Sequence, residues 1–166
     1  MKKNLISKGA DHTFMFSIFR ELVLKSGIQE NENLFFCGCQ GPCYAMAAFL
    51  CFGIRDLNLN LYFATDADVH RLWKLEYVKD LGIVAARKAE PVQAKVVVLM
   101  SGLVQVPFQN LLKFIDHGLA KNGIIIGETV VPRFFEEKDW DKKIPFNFIF
   151  EFEMKNPAAF EVEGEP

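Results

Sequence analysis

The chain has 166 residues, 19 basic and 21 acidic side chains and a net charge of −2, a length that suits one domain burying about 70% of its unfolded surface. At 51% hydrophobic and 24% charged it is neither disordered nor fibrous. Its balanced charge counts against a nucleic-acid footprint or an anionic-membrane anchor.

Asp11 can cap a first helix running to about Lys25, with Met15, Ile18, Phe19, Leu22 and Val23 as its apolar stripe and Gly27 as its stop. Leu34-Phe35-Phe36-Cys37 reads as a short buried strand before a glycine-rich turn. After Gly41-Pro42, a helix is predicted from Cys43 to about Arg55, because proline is preorganised for the first helical position. Its segment to Ile54 is apolar almost all round, which predicts burial on most sides. Leu59 to Phe63 is a second strand, and Thr65 or Asp66 is predicted to cap a helix through Leu81 that Gly82 ends. A brief strand, Ile83 to Ala86, comes next. Lys95 to Met100 is the clearest strand, rich in β-branched residues. Pro107 opens a helix to about Ala120, with Asn122-Gly123 as its stop. Ile124-Ile125-Ile126 forms a further strand, Phe134 to Asp139 a short helix, and Phe146 to Phe152 an alternating strand.

Alternating helices and fully apolar strands imply an α/β fold: a Rossmann-like, doubly wound, mostly parallel sheet in a three-layer α/β/α sandwich. The expected single domain covers residues 1–155, with a frayed tail over residues 156–166. With the five main strands numbered in chain order, 3-2-1-4-5 is the first expectation, since the short Ala86–Lys95 connection can reach across two strands; a flavodoxin-like order is the second. Four cysteines are too few for a disulfide scaffold and point to a reducing interior. The start, Met1-Lys2-Lys3-Asn4, turns polar before a signal-peptide core develops, and no apolar run approaches the roughly 20 residues of a membrane span. The expectation is a cytoplasmic protein without a membrane or nucleic-acid partner. Phe is abundant, at 17 residues, and Phe14 and Phe16 point different ways around the first helix. That surplus of apolar surface predicts a homodimer with Phe16 at its interface.

Open α/β sheets bind ligands beyond the carboxyl ends of their strands, where the strand order reverses. The loops aimed there are Gly38–Cys43, Thr65–Asp68, Ser101–Leu103 and Gly127–Thr129. Gly38 and Gly41 fall where the last two glycines of a G-x-G-x-x-G fingerprint would stand, with Phe36 at the first. Free N–H groups around Cys43 and Tyr44 could hold a phosphate or carboxylate; equally, the glycines could serve only a tight turn. Cys37-x-Cys39-x-x-x-Cys43 with Cys51 invites a metal reading, but Cys43 and Cys51 stand about 12 Å apart along a helix and the spacing matches no standard framework. No metal site is expected. Cys43 alone, at a helix start, is the candidate nucleophile or redox thiol. Asp66 and Asp68 end the second strand, where an acid often holds ribose hydroxyls, although a helix cap would explain Asp66 as well. Ser101 and Glu128 are candidates by position. His12, His70 and His117 lie on separate elements without a carboxylate–histidine pattern.

Phe36-Cys37-Gly38-Cys39-Gln40-Gly41-Pro42-Cys43, read as G-x-x-G-x-C, is followed by Ile54-Arg55-Asp56, Asp66-Ala67-Asp68, Val97 to Leu103, and Trp140 before Ile144-Pro145-Phe146. In that order these motifs resemble the archaeal family known as domain of unknown function 2124, over most of residues 34 to 150. The resemblance implies a Rossmann-like α/β domain and supplies no activity, cofactor or catalytic residue. Gly38, Gly41 and Cys43 match the family's loop. A looser resemblance is to class I S-adenosylmethionine-dependent methyltransferases, through Cys37–Gly41, Asp66 and the Leu111–Ile126 region; the acid that family carries inside its first strand is Phe35 or Phe36 here. The function expected is binding of a small anionic or nucleotide-like ligand at Gly38–Cys43, with Asp66, Asp68, Ser101 and Glu128 nearby. A methyltransferase-like enzyme and a purely partner-binding module are the alternatives, and the cofactor stays unknown.

Overall fold

The computed structural model of the protein describes residues 2–153 and 159. The frayed tail expected over 156–166 lies, residue 159 apart, outside them. Asp11 opens the first helical segment by accepting the Thr13 N–H at 2.8 Å, which holds a 3-10 turn, His12–Phe14. Helix α1 (Met15–Lys25) follows, and Gly27 at φ +72° turns the chain away after it. The remaining elements are β1 (Asn33–Gly38), α2 (Pro42–Phe52), β2 (Asn60–Thr65), β3 (Leu72–Val78), β4 (Gly82–Lys88), β5 (Ala94–Met100), α3 (Phe108–Gly118), β6 (Leu119–Thr129), α4 (Phe134–Glu137) and β7 (Phe148–Glu151).

Among the described residues these strands form one mixed sheet in the order β4-β3-β2-β1-β5-β6-β7. β2, β1, β5, β6 and β7 run parallel, while β3 is antiparallel to β2 and β4 to β3. Strand alternation splits the core between the two faces. Leu34 and Phe36 of β1 pack with Phe19 of α1 and Ala47 and Leu50 of α2. Phe35 and Cys37 pack with Leu111 and Phe114 of α3 and Phe135 of α4. Phe19, Phe35, Phe36, Phe114 and Phe135 are all fully buried, each contributing on the order of 1.5–3 kcal/mol of burial.

Three expectations are corrected. Residues 65–81 are no helix: Asp66 and Ala67 both take left-handed conformations, at φ +56°, and reverse the chain into β3. Leu72 and Leu75 stand three residues apart, the spacing that mimics a helical stripe. In a strand that odd spacing sends them to opposite faces, Leu72 with the α3 cluster and Leu75 with the α2 cluster. The hairpin to β4 turns at Asp80 (φ +68°) and Gly82 (φ +92°). The strand order consequently keeps the expected neighbours around β1, with β3 inserted before the Ile83 strand; residues 89–93 return the chain to β5 past three strands rather than two. The second correction concerns Asn122-Gly123. It lies inside β6, at an irregularity where Asn122 takes φ +61°, instead of ending a helix.

Third, α2 is not buried on most sides. Cys43, Ala47, Leu50 and Cys51 face inward, but Phe49 and Phe52 remain 48% and 41% exposed. Phe16, the expected dimer contact, packs inside the chain against both rings, with centroids 4.6 and 6.4 Å away. Among the described residues no helix is long and apolar enough to cross a membrane.

Candidate functional site at the carboxyl edge of the sheet

Chain direction around β1 fixes where a ligand could enter. From β1 the chain moves outward to β2 on one side and later returns to β5 on the other, so the crevice between their carboxyl ends is the switch point. Two groups of residues gather along this edge, joined by the Asp66 N–H, which donates to the Gly38 carbonyl at 2.9 Å.

The first group lines an open cleft of about 670 Å³ on the α3 side, a volume within the range of small-molecule sites. Asp66, Asp68, His70 and Arg71 come from the turn after β2, Gln105 and Pro107 from the connection after β5, and Asn110, Lys113 and His117 from one face of α3. Asp66 is engaged: Arg71 Nη1 donates to its Oδ2 at 2.9 Å, and Gln40 Nε2 approaches the same oxygen at 3.4 Å. Asp68 Oδ1 accepts the His70 backbone N–H at 2.8 Å, leaving Oδ2 for a ligand hydroxyl. Lys113 is exposed and has no ion-pair partner among the described residues. The cleft therefore offers one uncompensated cation, one hydrogen-bonding carboxylate, and imidazoles at His70 and His117.

The second group sits on the opposite face, beneath the start of α2. Gly41 is the N-cap of α2 at φ +77°, without a side-chain cap, and Pro42 occupies the first turn. Cys43 is buried and half-buried Cys39 lies against it, Cys39 Sγ donating to Cys43 Sγ at 3.1 Å; both are free thiols. Glycine at 38 is a steric requirement: a methyl there would overlap Cys43 Cβ and stand 3.1 Å from Met100 Sδ. Gly102 closes the other side, where a methyl would overlap Cys43 Sγ and stand 2.7 Å from Cys39 Sγ. The register then leads across the same face from Gly38 to Met100 of β5 and Glu128 of β6. Glu128 is 2% exposed, and its Oε1 has no hydrogen-bond partner among the described residues. Burial raises its carboxyl to about 7.

The position of Cys43 at a helix start does not make it a ready thiolate. Burial, and then the neighbouring Cys39 thiol, push its pKa up to about 12, against a backbone hydrogen bond from Cys39 that lowers it. Cys37 and Cys51 are fully buried, and burial raises both thiols well above the usual thiol range.

Of the residues expected from sequence, the structure gathers Asp66 and Asp68 in the cleft, and Gly38, Cys43 and Glu128 around the thiols. Ser101 begins the 3-10 turn Ser101–Gln105 between them and lines neither. Sequence reasoning missed Arg71 and Lys113; it had Gly102 and Cys39 within candidate loops, Cys39 also as a metal candidate, without pairing the two. Lys113 and His117, four apart on the polar side of an amphipathic helix, were the available signal for the cleft.

No curated protein matches the chain. A crystal structure of a protein of unknown function from Methanothermobacter thermautotrophicus shares its fold, with a TM-score of 0.82 over 97% of this chain and 99% of that one at 20% identity. A purine phosphoribosyltransferase from Pyrococcus horikoshii Ot3 aligns at a TM-score of 0.36 and 13% identity over 92% of each chain, too low a similarity to bear on fold or function. The family model described as "Uncharacterized protein conserved in archaea (DUF2124)" matches residues 12–155. The chain thus belongs to that archaeal family, the one its loop and strand motifs resemble.

Proposed function

We propose that the protein is a Rossmann-like, three-layer binding domain that takes a small anionic or nucleotide-like molecule at the carboxyl edge of its sheet, between the Gly38–Cys43 loop and the adjoining cleft. The observation that carries this reading is the cleft between the turn after β2 and α3, which an uncompensated Lys113 and half-buried Asp68 both line. Lys113 and Arg71 attract the anion, and Asp68 accepts hydroxyl hydrogens. The unpaired N–H groups at the start of α2 supply further donors to a group reaching across Gly41.

Thermal-shift titrations with inorganic phosphate, adenosine monophosphate and S-adenosylhomocysteine separate the ligand classes, because a ligand bound only by the folded state raises its melting temperature. Stabilisation by adenosine monophosphate is expected, weakened about tenfold in apparent affinity by Lys113→Ala, the loss of roughly 1.4 kcal/mol. Asp68→Ala is expected to weaken the nucleotide and leave phosphate unaffected. Stabilisation by S-adenosylhomocysteine alone would favour the methyltransferase reading; no stabilisation by any of the three rejects the small-molecule reading in favour of a partner-binding module.

The exposed Phe14, Phe49 and Phe52 rings support a companion proposal, that two copies associate through the α1–α2 face. Light scattering at micromolar concentration is expected to give twice the chain mass, and Phe49→Lys to give a monomer. A wild-type monomer contradicts it.

A further inference from the structure

The thiol pair beneath α2 combines three features that the ligand reading does not use. Its sulfurs touch at 3.1 Å, so about 1 Å of approach separates them from bonding distance. Their exposure is unequal: Cys39 is half-buried at the end of β1, and Cys43 is buried at 6%. A buried carboxyl with an unpartnered oxygen, Glu128, lies close enough for its charge to bear on Cys43. Gly38 holds the backbone against Cys43 and Gly102 holds it against both thiols, so the pair is positioned rather than loosely exposed.

We propose that Cys39 and Cys43 form a dithiol–disulfide exchange site, with Cys39 as the attacking thiol, Cys43 as the resolving thiol and Glu128 as the proton acceptor for Cys43. The co-reactant class is a low-molecular-weight disulfide, RS–SR. Cys39 loses its proton to solvent, and its thiolate attacks one sulfur of RS–SR. A Cys39–SR mixed disulfide forms and the first RS⁻ leaves. Cys43 then attacks Cys39 Sγ, its proton passing to the Glu128 carboxylate as the sulfur–sulfur bond forms. The Cys39–Cys43 bond forms, the mixed bond breaks, and the second RS⁻ departs, taking up a proton from Glu128 or solvent. Two thiols are oxidised by two electrons, and one disulfide is reduced to two thiols.

The division of roles follows access and acidity. Solvent reaches Cys39 first, whereas the Cys43 proton is held so tightly that it needs a nearby acceptor. Among the described residues, the titratable groups whose charges reach Cys43 are Cys39 and Glu128, with Cys37 behind it in β1. A carboxyl raised to about 7 is largely ionised at about pH 8, but its charge also raises the Cys43 thiol, so it takes that proton only as the sulfur–sulfur bond forms.

Intact-mass spectrometry of the fully reduced protein, mixed with 2-hydroxyethyl disulfide at about pH 8, tests the assignment. The wild type is expected to lose two hydrogens without a lasting adduct. Cys43→Ser is expected to accumulate one mixed disulfide, and Cys39→Ser to react about a hundredfold more slowly than the wild type, because its remaining thiols are buried. Glu128→Gln should form the adduct at the wild-type rate and resolve it about tenfold more slowly; a slowed first step instead would make Glu128 merely structural. Circular dichroism confirms that each variant is folded, and Cys39→Ala and Cys43→Ala replace any serine variant that is not. A persistent wild-type adduct, no oxidation, or equal rates for wild type and Cys39→Ser would overturn the proposal.

Discussion

Replacing Glu128 with Gln is expected to raise folding stability at neutral pH by about 2–3 kcal/mol, a shift of roughly 5–10 °C in melting temperature. The cause is the burial that lifts this carboxyl from 4.5 to about 7. Below about pH 4.5 the group is protonated in both folded and unfolded chains and costs nothing. Between 4.5 and 7 the unfolded chain has released a proton that the folded chain still holds, so stability falls as pH rises; above 7 the full cost of a buried carboxylate is present. Glutamine preserves the shape and never ionises, but its amide needs partners that the site does not fully supply, which trims the gain. Chemical denaturation of both proteins from pH 4 to 8 isolates the effect as a difference. The gap should be least favourable to glutamine at pH 4, grow in its favour through pH 6 and level off by pH 8. Parallel curves across that range would show that Glu128 is not desolvated as described.

Gly38→Ala is expected to destabilise the fold by about 3 kcal/mol, at the upper end of overpacking costs, because the added methyl meets a Cβ atom anchored to α2 rather than a side-chain tip. The neighbouring Gly102→Ala should behave differently. Its methyl would meet the two sulfurs, one of which belongs to half-buried Cys39. Trimming Cys43 to Ala removes the Sγ and keeps the Cβ. In double-mutant cycles, Cys43→Ala should therefore relieve much of the Gly102→Ala cost and almost none of the Gly38→Ala cost. Equal relief for both would mean that α2 starts farther from β1 than its contacts indicate.

Elements with one unambiguous signal were legible in the sequence. Asp11 and Gly27 bracket α1, Pro42 opens α2, and the β-branched run at Lys95–Met100 became the interior strand β5. The Leu72–Leu75 spacing does not discriminate, because a strand with one buried residue on each face and an amphipathic helix can place leucines at the same spacing. Only the left-handed turn at Asp66-Ala67 decides between them, and it depends on tertiary hydrogen bonds such as Asp66 N–H to the Gly38 carbonyl. The gathering of the candidate residues Asp66, Asp68, Cys43 and Glu128 at the carboxyl ends of their strands followed from topology. Their separation onto two faces did not follow, since it depends on which way each side chain points at the strand ends. Lys113 escaped notice because a lone lysine on a polar helix face looks like ordinary solvent-exposed charge until the loop after β2 is seen packed opposite it.

Amide chemical-shift mapping with adenosine monophosphate tests ligand binding at the carboxyl edge residue by residue. Saturable shifts confined to residues 38–44, 66–71 and 105–117 are expected, and their loss in Lys113→Glu. Shifts confined to the exposed Phe49 and Phe52 face of α2, or none at millimolar nucleotide, would contradict it.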